Sequence, residues 1–308
     1  MGIYPDTRRW SQTDRPGESM AVGQPVDGVE ILSARGSTRH WSEPMHNTFT
    51  VAIVHRSPER VGAEWRTRGK TLTTAGGQLM TINAGEGHHT LRVYAPSAFD
   101  VVKLDPAWIN ATAHAGGLRG EFRFAASSCQ SDAVSNALGR IVGAFAEGAT
   151  HFELEVTCQE LATAIVGHLG EARHSPMRVP RPPLLRLRRV RDRLVDDVEE
   201  RPSLAALERE AGIGKSQLCA SFKDTYGLSI VQYWTGCRVA RAKKALLQGM
   251  TGADVAAELG FTDESHFSRV FRKHAGLPPR RWVSLYRSNS HSCTEEKRLI
   301  QHSVKSGA

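Results

Sequence analysis

The sequence predicts an α+β chain: an antiparallel β-barrel with a helical appendix in its N-terminal part, then an all-α C-terminal third built as a double helix-turn-helix. Three observations predict this. Short alternating apolar stretches cluster between Val26 and Leu104, and the apolar period becomes helical from Ser131 onward. One pattern, S-x-[LF]-x-x-x-F-[KR]-x-x-x-G-L, is written twice: Ser216, Leu218, Phe222, Lys223, Gly227 and Leu228 recur 49 residues later as Ser265, Phe267, Phe271, Arg272, Gly276 and Leu277.

Residues 1–25 are rich in Pro, Gly, Ser, Asp and Arg without periodicity and read as a flexible lead-in. A barrel domain with its helical appendix follows over 26–173. Its strands are expected at Thr48 to Val54, Leu79 to Ile82, Thr90 to Tyr94 and Phe99 to Leu104, separated by Gly, Pro and Asn clusters. Between Ser131 and Arg173 two stripes predict a helix pair. One holds Ala133, Ala137, Ile141, Val142 and Phe145; the other holds Leu154, Leu161, Ile165, His168 and Leu169. The pair either packs on the barrel or forms a dimer seam.

Residues 174–183, HSPMRVPRPP, form a stiff, proline-rich linker to a domain spanning 184–287. That domain should open with a helix over 184–200, apolar at Leu184, Leu187, Val190, Leu194 and Val198. Arg186, Arg188, Arg189, Arg191 and Arg193 lie on its other sides, most simply as a solvated face. Ser203 caps a helix through Glu210, and Lys215 to Thr225 makes the second helix of the first unit. A helical stretch of about 20 residues, roughly 30 Å long, joins it to the second unit. There, Ala253 to Leu259 and Glu264 to His274 are the two helices, with Thr262 and Asp263 as caps and Gly276, Pro278 and Pro279 as the stop. Residues 288–308 are polar and read as a disordered tail.

In both units one helical face is apolar and the other polar. Phe267, Val270 and Phe271 form the buried stripe, while Ser265, Arg269 and Arg272 lie opposite, with His266 and Lys273 beside them. The chain carries a formal charge of +8; residues 184–287 hold 19 Lys+Arg against 12 Asp+Glu, so +7 of it sits there. A basic third beside a near-neutral remainder points to a polyanion. Helix-turn-helix units place their second helix in a DNA major groove, and a ~30 Å joining helix approximates the ~34 Å turn of the duplex. Arg269 has the donor geometry to hold guanine O6 and N7; Ser265 and His266 suit shorter polar contacts, and Lys223, Arg272 and Lys273 suit phosphates. The matching positions of the first unit, Ser216, Cys219 and Ala220, include no bidentate reader.

The segments QLCASFKDTYGLS, RVARAKKALL and ELGFTDESHFSRVFRKHAGLPP resemble the DNA-binding domain of AraC/XylS-family bacterial transcription regulators. The resemblance covers 184–287, about a third of the chain; Val283 departs from it where the family usually has arginine. It implies base-reading roles for Ser265, His266 and Arg269. For Arg238 it implies a place by the DNA backbone or in holding the two lobes together. It also implies double-stranded promoter DNA and RNA polymerase as partners, a small-molecule effector and a homodimer. On the N-terminal side, the run from Gly76 to His88, GGQLMTINAGEGH, resembles the second cupin signature G-x5-P-x-G-x-x-H, with Asn83 at the proline position. Many regulators of this family use such a barrel as effector domain. Here the pocket is expected inside the barrel, bordered by the Gly85–His89 turn with His46 opposite. His46 and His88 are the candidate effector contacts, or else ordinary core and turn histidines.

No metal or cofactor is expected. His46 is followed by Asn47 and Thr48 rather than the H-x-H of metal-binding cupins, and His46, His88 and His89 lack a clear third-ligand pattern. Five scattered cysteines form no zinc or disulfide framework, which disfavours an alkyl-transfer repair protein. No run of about 18 apolar residues and no signal core are present, so a cytoplasmic, non-membrane protein is expected. The expected function is a sequence-specific, effector-responsive transcription regulator and not an enzyme. The alternatives are a metal-dependent cupin enzyme fused to a DNA-binding module and a constitutive regulator whose barrel is purely structural.

Overall fold

Alternation of side chains across the strands sorts the N-terminal half into two faces. The computed structural model describes residues 11–13, 15–43, 46–55, 62–172 and 182–289. Ten strands come first: β1 Ser11–Gln12, β2 Ser19–Val26, β3 Val29–Ser37, β4 Ser42–Glu43, β5 Phe49–Val54, β6 Ala63–Thr67, β7 Lys70–Thr74, β8 Leu79–Ile82, β9 His88–Val93 and β10 Ser97–Leu104. Helix α1, Pro106–Ala115, is followed by β11 Phe122–Phe124 and β12 Ser128–Cys129. Helices α2 Asp132–Glu147 and α3 His151–Leu169 follow, then β13 Gly170–Ala172. A seven-stranded sheet runs β1-β2-β3-β10-β5-β8-β12, a four-stranded sheet runs β4-β9-β6-β7, and β11 pairs with β13. The two larger sheets wall a cavity rather than closing into one barrel.

Register explains the division. Val101 of β10 lies opposite Leu32 and Ala52, and these three face the cavity. Their neighbours Val102, Ile31 and Val51 are likewise in register and face outward, under α2 and α3. The α2–α3 pair buries Val134, Leu138, Ile141, Phe145, Leu154, Leu161 and Ile165 there, each at most 2% exposed. The helix pair therefore packs on the sheet, with a correction to the stripes: Ala133 and His168 are exposed, and Val134 and Leu138 take inward positions.

The lead-in expected over 1–25 is corrected: Ser19–Val26 is a strand paired along β3, with Met20 and Val22 at 1% exposure. Its Pro and Gly content hid an apolar alternation at Met20, Val22 and Val26. The linker expected at 174–183 lies, except for its last two residues, outside the described residues. The expected tail also starts too early, because Ser288 and Asn289 still belong to a helix; 290–308 lie outside the described residues.

The C-terminal part is helical: α4 Pro182–Asp196, α5 Leu204–Ala211, α6 Lys215–Tyr226, α7 Ile230–Leu247, α8 Gly252–Glu258 and α9 Glu264–Ala275, then α10 over 279–289. Ser203, Ser229, Thr251 and Asp263 cap α5, α7, α8 and α9 through their side chains. Leu218 and Phe222 of α6 and Phe267 and Phe271 of α9 are all 0% exposed, so the repeated pattern is a repeated core. This core does not stop at the domain boundary. It continues into Met20, Val22 and Ala34 of the seven-stranded sheet. Among the described residues no helix is long and apolar enough to cross a membrane.

Candidate nucleic-acid interface and interdomain cavity

Burying the Phe stripe of each repeat turns its other face to solvent. On α6, Ser216, Cys219, Ala220 and Lys223 are exposed; on α9, Ser265, Arg269, Arg272 and Lys273 are exposed. Asp263 accepts a hydrogen bond from the His266 amide at 2.6 Å, which fixes where α9 begins. His266 is half-buried, edge-on to Phe261 with ring centroids 5.5 Å apart. Arg269 Nε reaches the Ser265 carbonyl at 3.4 Å, leaving the outer guanidinium nitrogens toward solvent. Thus nine of the ten residues singled out for DNA contact lie on two matching helical faces or at their edge.

The tenth, Arg238, does not. It is 4% exposed, its Nε donates to the Leu259 carbonyl at 2.8 Å, and its guanidinium lies 3.5 Å from the Phe261 ring centroid and 4.4 Å from that of Trp234. Burial lowers its pKa to about 10. Arg238 joins the joining helix to the end of α8, and a DNA-contacting role is withdrawn.

Between the sheets, and roofed by α7, α9 and α10, lies a cavity of about 400 Å³. Its walls are mostly apolar: Leu32, Ala52, Trp65, Ile82, Phe99 and Val101 below, Val239, Ala275 and Trp282 above. One end is polar. Lys103 Nζ sits 2.9 Å from Glu43 and 3.3 Å from Glu30, and these carboxylates raise its pKa against the effect of burial. Burial opposes ionisation of Glu43, but His46, Lys103 and Lys243 together hold its carboxyl below the usual range. His46 Nε2 lies 2.9 Å from His88 Nδ1, and Thr50 Oγ1 is 3.0 Å from His46 Nδ1. Burial pushes His46 down to about 3 and His88 to about 4, so both rings are neutral at pH 7.

Lys243 enters this end from α7. It lines the cavity half-buried and, among the described residues, makes no hydrogen bond or ion pair; its Nζ lies 5.6 Å from the Trp282 ring centroid. Burial and then Lys103 lower its pKa, partly offset by Glu43 and Glu30. Sequence reading missed Lys243 because in RVARAKKALL it is one basic residue among several on a helix. Only the packing of the barrel beneath that helix turns it inward.

The expected pocket histidines are both cavity residues, but His46 stands beside His88 and not across from it. The turn between β8 and β9 brings them together: the His46 amide donates to Glu86 O and the Gly85 amide to His46 O. Asn83, at the cupin proline position, shapes that turn by donating to Glu86 and accepting from the Phe124 amide at 2.8 Å. His89 does not line the cavity. Among the described residues no group of three His, Cys, Asp or Glu side chains could hold a metal.

Residues 207–284 match a family model described as a helix-turn-helix domain. The chain is 35% identical over 78 residues to an AraC-like transcription regulator of Streptomyces lividans, covering 25% of this chain and 26% of that one. It is 41% identical over 61 residues to the HTH-type transcriptional activator RhaR of Yersinia pseudotuberculosis, covering 19% and 21%. It spans about a quarter of the length of these relatives. Among solved structures, an apo form of a ToxT variant from Vibrio cholerae aligns over 89% of this chain and 99% of its own, at 9% identity and a TM-score of 0.47. The C-terminal part is thus a double helix-turn-helix domain. It is a domain of the AraC family.

Proposed function

We propose that the chain is a sequence-specific, DNA-binding transcription regulator whose N-terminal domain takes a small-molecule effector. The observation that carries this is the pair of matching outward faces. Ser216, Cys219, Ala220 and Lys223 on α6 and Ser265, His266, Arg269, Arg272 and Lys273 on α9 stand on one scaffold, at the two ends of the 18-residue α7. At 1.5 Å per residue, α7 is about 27 Å long, near enough to one duplex turn for both helices to meet the same face of DNA. Arg269 reads a base edge, and Lys223, Arg272 and Lys273 hold phosphates. The resemblance supports promoter DNA and RNA polymerase as partners, and a homodimer as the working form.

The cavity favours an effector-responsive regulator over one with a purely structural barrel. Its size suits a small molecule, and its lining is apolar with a few converging polar groups. Lys103 bridges Glu30 and Glu43, and Lys243, at the same polar end, makes no hydrogen bond or ion pair of its own among the described residues. The effector is therefore a small amphipathic acid, its anionic group at Lys243 and its apolar part against Trp65 and Phe99.

The test is fluorescence anisotropy with the purified chain and labelled duplexes tiling the DNA around its own gene. Tight binding to one or two tiles that weakens steeply with salt is expected. Equal, weak binding to every tile would remove the sequence-specific reading.

A further inference from the structure

The two recognition helices rest on different sheets of the N-terminal domain. At the C-terminal end of α6, Arg66 of β6 donates to the Asp224 carbonyl at 3.2 Å and lies 3.6 Å from its carboxylate. Gly227, which ends α6 with φ +78°, is so close to Arg66 that an added Cβ would sit 3.5 Å from its Cδ. The β6–β7 turn, Arg68–Gly69, reaches the same place: a Cβ on Gly69 would lie 3.4 Å from the Asp224 carbonyl. This contact belongs to the four-stranded sheet.

The second unit is held by the other sheet. Gly276 ends α9 with φ +82°, and a Cβ there would lie 3.2 Å from Met20 Sδ and 3.5 Å from Arg39 Nε. Met20 is in β2, and Arg39 is tied at 2.7 Å to Glu18, the residue just before that strand. Two further bonds follow along β2: Tyr286 of α10 donates to Gln24 at 3.2 Å and Asn289 donates to the Val22 carbonyl at 2.7 Å. The cavity separates the two sheets, with Trp65 and Thr90 on one wall and Leu32, Ala52 and Val101 on the other.

We propose that the N-terminal domain is a caliper, in which the four-stranded sheet grips the first helix-turn-helix unit, the seven-stranded sheet grips the second, and the width of the cavity between them sets the separation of α6 and α9. A molecule that fills the cavity then changes the spacing at which the two helices are presented. That consequence for DNA rests on the regulator reading above. The separation itself is a property of the protein alone, so its failure is distinguishable from a failure to bind DNA.

Double electron–electron resonance on the full chain tests it. Spin labels are placed on native Cys219 of α6 and on Ser265→Cys of α9, with Cys129→Ser and Cys293→Ser removing competing thiols; Cys158 and Cys237 are buried. The wild-type contacts should give one narrow distance distribution. Asp224→Arg, on a side chain 78% exposed, sets like charges against Arg66 without touching the core and should broaden it roughly twofold. Arg66→Asp should do the same, and the Arg66→Asp/Asp224→Arg swap should narrow it again. Ala52→Phe, which puts a ring into the cavity, should move the mean while keeping the width; Ala63→Phe on the opposite wall serves if the first variant does not fold. Distributions in the charge variants equal to wild type, a swap that fails to narrow, or an unmoved mean in the folded cavity variant would each overturn the caliper.

Discussion

The Nε2 of His46 stands 2.9 Å from the Nδ1 of His88, so one ring donates across the gap and the other accepts. Both are neutral rings in the folded state, His46 lowered by burial to about 3 and His88 to about 4. An unfolded histidine titrates near 6.5, so between these values the unfolded chain binds protons that the folded chain does not, and stability falls as pH drops below 6.5. For His46, at 1% exposure, the loss between pH 7 and 5 is roughly 2 kcal/mol. Denaturant melts of wild type and His46→Gln at both pH values check this. The variant should show a smaller difference, and identical pH dependence in the two proteins would show that His46 takes up its proton as readily in the fold as in the unfolded chain.

Lys243→Met removes a half-buried ammonium that makes no ion pair among the described residues and replaces it with a chain of similar length. The free protein should melt higher, by about 1–3 kcal/mol of added stability. The same variant should bind the anionic probe 1-anilinonaphthalene-8-sulfonate roughly tenfold more weakly, as measured by fluorescence titration. A variant that binds the probe as well as wild type would move the anionic subsite away from Lys243.

Arg238→Ala is expected to act on folding and not on sequence preference. It removes the bond to the Leu259 carbonyl and the stacking against Phe261 and Trp234, a loss of about 2–4 kcal/mol. Melts and anisotropy below the melting range separate the two effects. Unchanged stability with relaxed base preference would return Arg238 to the DNA-contacting set.

The two recognition helices should discriminate unequally. Arg269→Ala is expected to cost about 1–3 kcal/mol of discrimination at one or two base pairs, as loss of a bidentate guanine contact does. Lys223→Ala should weaken all sequences alike and lower the salt slope by about one. Single-base variants of a bound duplex, measured at two salt concentrations, check both. Uniform weakening by Arg269→Ala would make it a phosphate clamp.

The repeated helix-turn-helix was legible because Leu218, Phe222, Phe267 and Phe271 are local signals: each pair lies on one helix and buries against its own unit. Strands β5, β8, β9 and β10 were legible by alternation, to within two residues at their ends. The β6–β7 hairpin was missed because its turn is Arg68–Gly69 and not the Asn-Gly or Asp-Gly that marks such turns. Helix α1 was missed although Asp105 and Pro106 give its start, since its ten residues carry little apolar periodicity. His88 was placed at the cavity by the G-x5-P-x-G-x-x-H resemblance, while His46 matches no motif of its own and was placed only by the expected barrel geometry. Lys243, Arg66 and Met20 were beyond reach, because their roles come from the docking of two domains, and no local pattern records which surfaces will meet.

The central claim, two unequal readers on one scaffold, is tested most directly by selecting bound sites from random duplexes with the full purified chain and sequencing them. The account predicts two half-sites about one helical turn apart on the same face of the duplex, one sharply defined around a guanine and the other diffuse. In Arg269→Ala the sharp half-site should lose its guanine while the spacing is kept. Sequences no different from the starting pool, or a single half-site that Arg269→Ala leaves intact, would contradict it.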